Sequence, residues 1–194
     1  MKKNSPLRTT NYVLRTSRGF TLIETLVAVT FLTVAIVAPM SLITKSLSTT
    51  YYARDQITAS YLAQEAIESI RYVRDNNILA SVRGTPTPTF DGIPVGRPFI
   101  VDTFSNSIDD DPCNNSTNTC PPLQLDPTKT FYGYGLRWDN TRFTRTVRAE
   151  FVNGNPDEMQ IQATVSWTSG SFQPRSFTMS ENLYRWIDDS TSPL

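Results

Sequence analysis

A chain of 194 residues, 39% of them hydrophobic and with a formal net charge of zero, has the size of one domain plus an additional segment. It contains no histidine, which removes the commonest metal ligand and the usual general base near neutral pH. Neither a G-x-x-x-x-G-K-[ST] nor a G-x-G-x-x-G phosphate cradle occurs. Ser-His-Asp, Cys-His and His-based zinc chemistry are therefore excluded, no cofactor is expected, and an enzyme would have to work with carboxylates or lysine alone.

The charge is unevenly placed. Residues 1–19 hold Lys2, Lys3, Arg8, Arg15 and Arg18 and no acid, whereas the remaining 175 residues hold 13 basic and 18 acidic side chains. Without its head the chain is acidic, which disfavours nonspecific binding to nucleic acid. From Phe20 to Thr44 runs FTLIETLVAVTFLTVAIVAPMSLIT, in which Glu24 is the only charge in 25 residues. About 20 apolar residues suffice to span a bilayer. The basic flank in front, with no basic excess behind, puts residues 1–19 in the cytoplasm and the bulk of the chain outside it. An ordinary secretory signal has a shorter apolar core and a small-residue cleavage site; Ala35 and Ala38 offer one, but Pro39 follows directly. A plain anchor explains length and flanks but leaves Gly19, Phe20 and Glu24 without a reason.

Those residues carry a resemblance. Arg18-Gly19-Phe20-Thr21-Leu22-Ile23-Glu24 resembles the type III signal of type IV pilins and type II secretion pseudopilins: basic leader, glycine, phenylalanine, and an acid at the fifth position of the mature chain. The resemblance implies that a prepilin peptidase cuts between Gly19 and Phe20 on the cytoplasmic face, removes residues 1–19, and N-methylates Phe20. It implies other pilin or pseudopilin subunits, an inner-membrane assembly platform and membrane lipid as partners, and polymerisation as the activity, so that the chain is not an enzyme. The expected location is the inner membrane, single-pass, followed by a filament in the envelope or outside the cell. The leader is longer than many in the family.

Glu24 gains a physical account from the same resemblance. An ionisable group at membrane depth costs a few kcal/mol and usually has a partner. Cleavage would create one, the Phe20 amine, which with a reference pKa of about 7.7–8.0 is largely cationic at neutral pH. In a staggered helix bundle the acid of one subunit then neutralises the amine of its neighbour, which rewards correct register more than it adds stability. The alternative is a solvated acid close to the interface. The tip-capping pseudopilin of the family typically lacks this acid, which argues against that role.

Beyond Lys45 the helical pattern continues on a different face. Ala59, Leu62, Ala63, Ala66, Ile70 and Val73 recur at helical spacing, while Arg54, Asp55, Gln64, Glu65, Glu68, Arg71 and Arg74 are polar. One helix over 20–76 follows, with 20–44 as its membrane and assembly stem, reaching about 85 Å. Pro39 is expected to kink it, since proline lacks the donor N–H. Glu65 and Glu68, one turn apart, are expected to be solvated or ion-paired rather than catalytic. YLAQEAIESIR resembles the corresponding helix of minor pseudopilins and minor pilins.

After Asn76-Asn77 the composition shifts, and the Pro- and Gly-rich stretch 83–98 predicts a loop. Strand-like runs follow at 97–104, 131–138, 142–152, 158–168 and 175–183. In MQIQATVSW, Met159, Ile161, Ala163, Val165 and Trp167 alternate with polar residues, so one face of that strand is buried. Covering it with the apolar stripe of the helix gives an α+β fold: a long N-terminal helix whose second half packs on a C-terminal antiparallel sheet within the 77–194 domain. That architecture is pilin-like, and ATVSWTSGSFQPRSFTMSENLYRW resembles the closing hairpin of minor pseudopilins and minor pilins. Trp167 and Trp186 are expected in core or strand-edge packing rather than in sugar stacking.

The segment 105–127 reads as a loop insertion holding the only cysteines, Cys113 and Cys120, which in an exported chain are expected to form a disulfide rather than remain free thiols. Asp109, Asp110 and Asp111 supply hard oxygen ligands suited to calcium, but EF-hand spacing is absent, so an acidic surface loop without metal is expected. Arg142, Arg145 and Arg148 make no coherent basic patch, because alternation turns Arg145 to the face opposite the other two. The expectation is a minor structural subunit of a pilus or secretion pseudopilus. A second reading is a minor pilin binding or adhering at a filament surface or tip through 105–127, and a third, disfavoured by the missing catalytic groups, is a membrane-anchored envelope enzyme. Pilus, DNA-uptake and secretion use stay open.

Overall fold

A computed structural model describes residues 19–113, 119–169 and 173–187. It has an α+β fold: one long N-terminal helix and an antiparallel sheet of five strands. The leader read from 1–19 lies outside the described residues except for Gly19. The chain divides between Ser46 and Leu47 into two compact units.

Helix α1 runs from Leu22 to Val82 without interruption, through Pro39. In the first unit every described residue of α1 is exposed. The helix is long and apolar enough there to cross a membrane, and no part of that window is buried. Its threonines do not break the apolar character, because each hydroxyl turns back onto the helix's own backbone. Thr25 donates to the Leu22 carbonyl at 2.8 Å, Thr30 to Val27 at 2.7 Å, Thr33 to Thr30 at 2.8 Å and Thr44 to Ser41 at 2.9 Å.

The helix does not end at Asn76, where the sequence predicts its stop. Asn77 instead donates its side-chain amide to the carbonyls of Thr89, at 3.2 Å, and Asp91, at 3.0 Å, while Ile78 is buried. The stop is Gly84, with φ +90°. Its N–H bonds the Ser81 carbonyl at 3.0 Å and the Thr85 N–H bonds Ala80 at 3.0 Å, the paired closure of a Schellman motif that needs a left-handed residue. The shift in composition after Asn77 thus marks where the helix meets the 83–98 loop through that side chain, and not where the helix ends.

In the second unit the sheet has the order β4-β3-β5-β6-β7. The long strands are β5 (Asp139–Phe151), β6 (Glu158–Ser169) and β7 (Gln173–Tyr184), and β3 (Pro122–Leu125) and β4 (Tyr132–Gly133) extend the sheet beyond β5. Strands β1 (Ile100–Asp102) and β2 (Ser107–Asp109) form a separate hairpin, tied to β5 by a two-way backbone bridge between Phe99 and Val147. The expected strands at 97–104 and 131–138 are thus much shorter than their apolar runs. Part of 105–127 is not loop at all, since β2 and the inner strand β3 lie within it. Pro122 stands at the first residue of β3, where a strand tolerates proline.

Alternation along β5 and β6 fills one face. Phe143 pairs with Trp167, Val147 with Ala163, and Ala149 with Ile161, and all six are buried with Ala59, Leu62, Ala63, Ala66, Ile67 and Ile70 of α1. The alanines let the helix backbone approach the sheet, and Ile67 joins the predicted stripe while Val73 sits at its margin. Trp167 packs in this core with its ring 6.1 Å from Phe143. Trp186 does not pack; it lies beyond the end of β7 and is 67% exposed.

One charged side chain shares the apolar face. Arg145 is fully buried, opposite Val165 in the register. Its guanidinium donates to the Leu62 carbonyl of α1 at 2.9 Å, to the Val101 carbonyl of β1 and to Glu65 at 3.4 Å. Burial lowers its pKa from the ordinary value, opposed by Tyr134, Glu65 and Asp102; arginine is the basic residue that keeps its charge in such a place. Glu65 also accepts from the Thr103 hydroxyl, so helix, hairpin and sheet meet on one guanidinium. The segment from Leu47 to Leu194 is expected to fold by itself, as circular dichroism would report. Within it, Arg145→Ala should lower stability by about 2–4 kcal/mol through a cavity and unpaired carbonyls. Arg145→Met, which refills the space with apolar atoms, should lose less than half as much. Urea midpoints decide this, and an unchanged Arg145→Ala midpoint would refute the clasp.

Candidate functional site

The N-terminal end of α1 begins with residues that cannot bury themselves. Gly19 and Phe20 are exposed and precede the helix, whose start is set by the next residue. The Thr21 carbonyl accepts from the N–H groups of Glu24 and Thr25, both at 3.1 Å, which makes Thr21 the N-cap. Its hydroxyl accepts from the Glu24 N–H at 3.3 Å, and the Glu24 carboxylate reaches back to the Thr21 N–H and hydroxyl, each at 3.5 Å. This is a capping box, in which two orphan donors of the first turn are satisfied reciprocally. The carboxylate also faces the positive end of the helix dipole. The sequence signal is Thr21-x-x-Glu24 ahead of an apolar run. Arg18 lies outside the described residues. At Pro39 the missing N–H removes the donor that the Ala35 carbonyl would otherwise receive, and the helix carries on.

Cys113 and Cys120 are joined in a disulfide, S–S 2.08 Å. Both are buried against Ile100, so the bridge fastens the 105–127 segment to β1. Residues 114–118 of that segment lie outside the described residues. Asp109, Asp110 and Asp111 bring their oxygens within 4.8 Å of one another, yet protein groups already occupy them in part. Arg97 pairs with Asp110 at 2.6 Å, and Asp109 accepts the Asp111 N–H at 3.0 Å. The three arginines of β5 are also separated: Arg142 pairs at 2.7 Å with Asp55 of α1, itself 1% exposed, and Arg145 is in the core. Glu68 pairs with Arg71 at 2.7 Å and Arg71 reaches on to Glu181 of β7, while Glu65 holds Arg145. Glu65 thus pairs directly with the sheet, and Glu68 only through Arg71.

Two local devices shape the opposite side of the hairpin. Asp126 organises the turn between β3 and β4: its carboxylate accepts from the N–H of Thr130 at 2.6 Å, of Phe131 at 2.8 Å and of Thr128 at 3.1 Å, and from the Thr128 hydroxyl. The Phe131 N–H above all, with the Thr128 hydroxyl next, holds the Asp126 pKa down to about 2. Further along, the Trp138 ring lies directly on the backbone of Gly133 and Gly135. A Cβ at Gly135 would stand 2.4 Å from the indole, and one at Gly133 would stand 2.7 Å from Asp102. The sequence signal for the first was an aspartate followed by proline and two threonines, a turn-forming set. The second was legible only as spaced glycines before a tryptophan.

No family model matches the chain, and no curated protein or solved structure matches it. Fold and site therefore rest on the residues themselves.

The Asp126 turn makes a signed prediction. Because its folded pKa is depressed below the ordinary 3.8, its stabilisation is complete above about pH 3.8 and is lost as pH falls through about 2. Asp126→Asn should lower the melting temperature at neutral pH, and the gap from wild type should close across that window. A gap unchanged between pH 5 and about 2 would mean that hydrogen-bond geometry alone, and not the charge, holds the turn.

Proposed function

We propose that the chain is a minor structural subunit of a type IV pilus or type II secretion pseudopilus, made as a precursor and assembled through the first half of α1. The observation that carries the reading is the conjunction at the helix start. A prepilin-type Gly19-Phe20 pair lies in exposed, non-helical chain immediately before a capped helix, and that helix is apolar, unburied and interrupted by a single acid. A helix face of this kind needs lipid or other helices around it, because water alone leaves its apolar surface unsatisfied. In the precursor the prepilin peptidase cuts after Gly19 and methylates Phe20, with the inner membrane holding α1 in a single pass. The assembly platform and neighbouring subunits then receive it. The role is structural rather than enzymatic.

On this reading Glu24 has two tasks. It caps its own helix through Thr21, and in the assembled state it neutralises the Phe20 amine of a neighbour. The two tasks separate by substitution, because glutamine serves in a capping box as glutamate does but carries no charge. Mass spectrometry of the mature protein should show N-methylated Phe20 as the first residue; an N-terminus at Pro39 would establish an ordinary secretory signal instead. Glu24→Gln and Glu24→Ala should both reach the membrane and be processed, since losing a charge eases insertion. Both should lose crosslinking to partner subunits by more than about tenfold, as a buried unpaired amine costs about 3–5 kcal/mol. If Glu24→Gln crosslinks like wild type while Glu24→Ala does not, the cap and not the ion pair is what assembly uses.

A further inference from the structure

A cleft of about 790 Å³ opens in the second unit between the β1–β2 hairpin, the disulfide-bonded segment and the chain from Tyr134 to Trp138, a volume in the range that holds small organic ligands. Its wall combines two chemistries. One side is aromatic and apolar: Trp138, braced from behind by the Gly133 and Gly135 backbone, meets the Phe104 ring edge-on at 5.4 Å, and Leu136 beside them is 91% exposed. The other side is oxygen, from Asp102, Ser105, Ser107 and Asp109.

The direction of the hydrogen bonds decides what that oxygen can receive. Ser105 donates its hydroxyl hydrogen to Asp102 at 2.7 Å. The 2.8 Å contact between Ser105 and Ser107 must then have Ser107 as donor, since each hydroxyl has one hydrogen to give. Both serine hydrogens are thereby spent inward, and what the hydroxyls and the two carboxylates keep is acceptor capacity. Gln124 is partly engaged, its carbonyl accepting the Gly135 N–H at 3.0 Å and one amide hydrogen going to Asn140 at 3.1 Å; the donors that the wall retains, chiefly the unpartnered Tyr134 hydroxyl, belong to neutral groups. No lysine or arginine lines the cleft among the described residues. Asp102 lies in the field of Arg145, which leaves Asp109 as the less balanced charge. Two carboxylates, with no base among the described residues, give the wall a negative balance, which favours ammonium and guanidinium groups, donors only and attracted to aromatic faces, over a neutral sugar hydroxyl.

We propose that this cleft binds an organic cation, an alkylammonium or guanidinium group, with Asp109 and the serine oxygens accepting its N–H groups and Trp138 and Phe104 packing its carbon stem. The cation comes from a lysine or arginine side chain of a partner protein or from a free polyamine. The site does not depend on the assembly role proposed above, and a bare metal ion would leave its apolar wall unused.

The test uses the full chain, ¹⁵N-labelled, in uncharged detergent micelles, and follows the indole N–H resonance of Trp138, identified by its loss in Trp138→Phe; Trp167 and Trp186 are internal references. The probes are N-acetyl-arginine amide, spermidine, cellobiose and calcium chloride. Saturable movement of the Trp138 signal with the arginine amide or spermidine, with cellobiose at least about tenfold weaker, is expected; the better of the two cations names the source. Asp109→Asn, which can keep its bond to the Asp111 N–H, should weaken cation binding about fivefold, and Ser107→Ala by a smaller factor. No response to either cation at tens of millimolar, equal binding of cellobiose, binding indifferent to Asp109→Asn, or calcium displacing the organic cations would each overturn the proposal.

Discussion

A sheet with one apolar face must keep that face from water, and here the cover is supplied by a helix too narrow to do so unless its backbone comes close. Alanines at 59, 63 and 66 allow the approach, and the close approach is what brings the Leu62 carbonyl within 2.9 Å of Arg145. The guanidinium then collects the hairpin through Val101 and the helix acid through Glu65. Remove the small residues and the arginine loses its acceptors on the helix; remove the arginine and the hairpin is left with the Phe99–Val147 bridge and the Thr103–Glu65 bond. Arg71–Glu181 repeats the helix-to-sheet connection at a part-exposed position, where solvent screening leaves it worth little alone, and Asp55–Arg142 repeats it with a buried carboxylate and a half-exposed guanidinium.

The same helix meets two different demands along its length. In the second unit Asp55, Glu65 and Arg71 pair across to the sheet. In the first, its threonine hydroxyls bond its own carbonyls and its one acid bonds its own N-cap, so every described polar side chain there for which a partner is known satisfies itself within the helix. Self-satisfaction is what an apolar surrounding requires, because lipid offers no hydrogen bonds in exchange. Helix interior and helix cap are thus using one rule, which sequence periodicity does not express.

Periodicity made the helix, the buried face of β6 and the α+β class legible. The alternation in MQIQATVSW and the stripe from Ala59 to Ile70 are long enough for geometry to dominate chance. The even placement of Arg142, Arg145 and Arg148 correctly set Arg145 on the other face, yet a lone arginine on an apolar face gave no hint that it binds three elements. Short strands failed because their pairing is set by partners distant in the chain: β3 has four residues and begins with proline, and only its position between β4 and β5 makes it a strand. The helix end differs because composition shifts after Asn77, while the stop is set by backbone geometry at Gly84. At the candidate sites the residue types were visible, but the direction of the Ser107–Ser105–Asp102 bonds and the capping by Thr21 are properties of arrangement.

The Trp138 ring seated on the Gly135 backbone binds these two positions into one inheritable unit. While tryptophan occupies 138, position 135 has no room for a Cβ, so an alanine there is expelled before its other effects matter. Should a smaller residue first replace the tryptophan, the glycine becomes free to change, and that change then bars the return of the ring. Gly133 is held separately, because a Cβ there would meet the Asp102 carboxylate at 2.7 Å before it met the indole; substitutions at 135 and 138 have an order, and in any lineage of this chain those two residues should drift together or not at all.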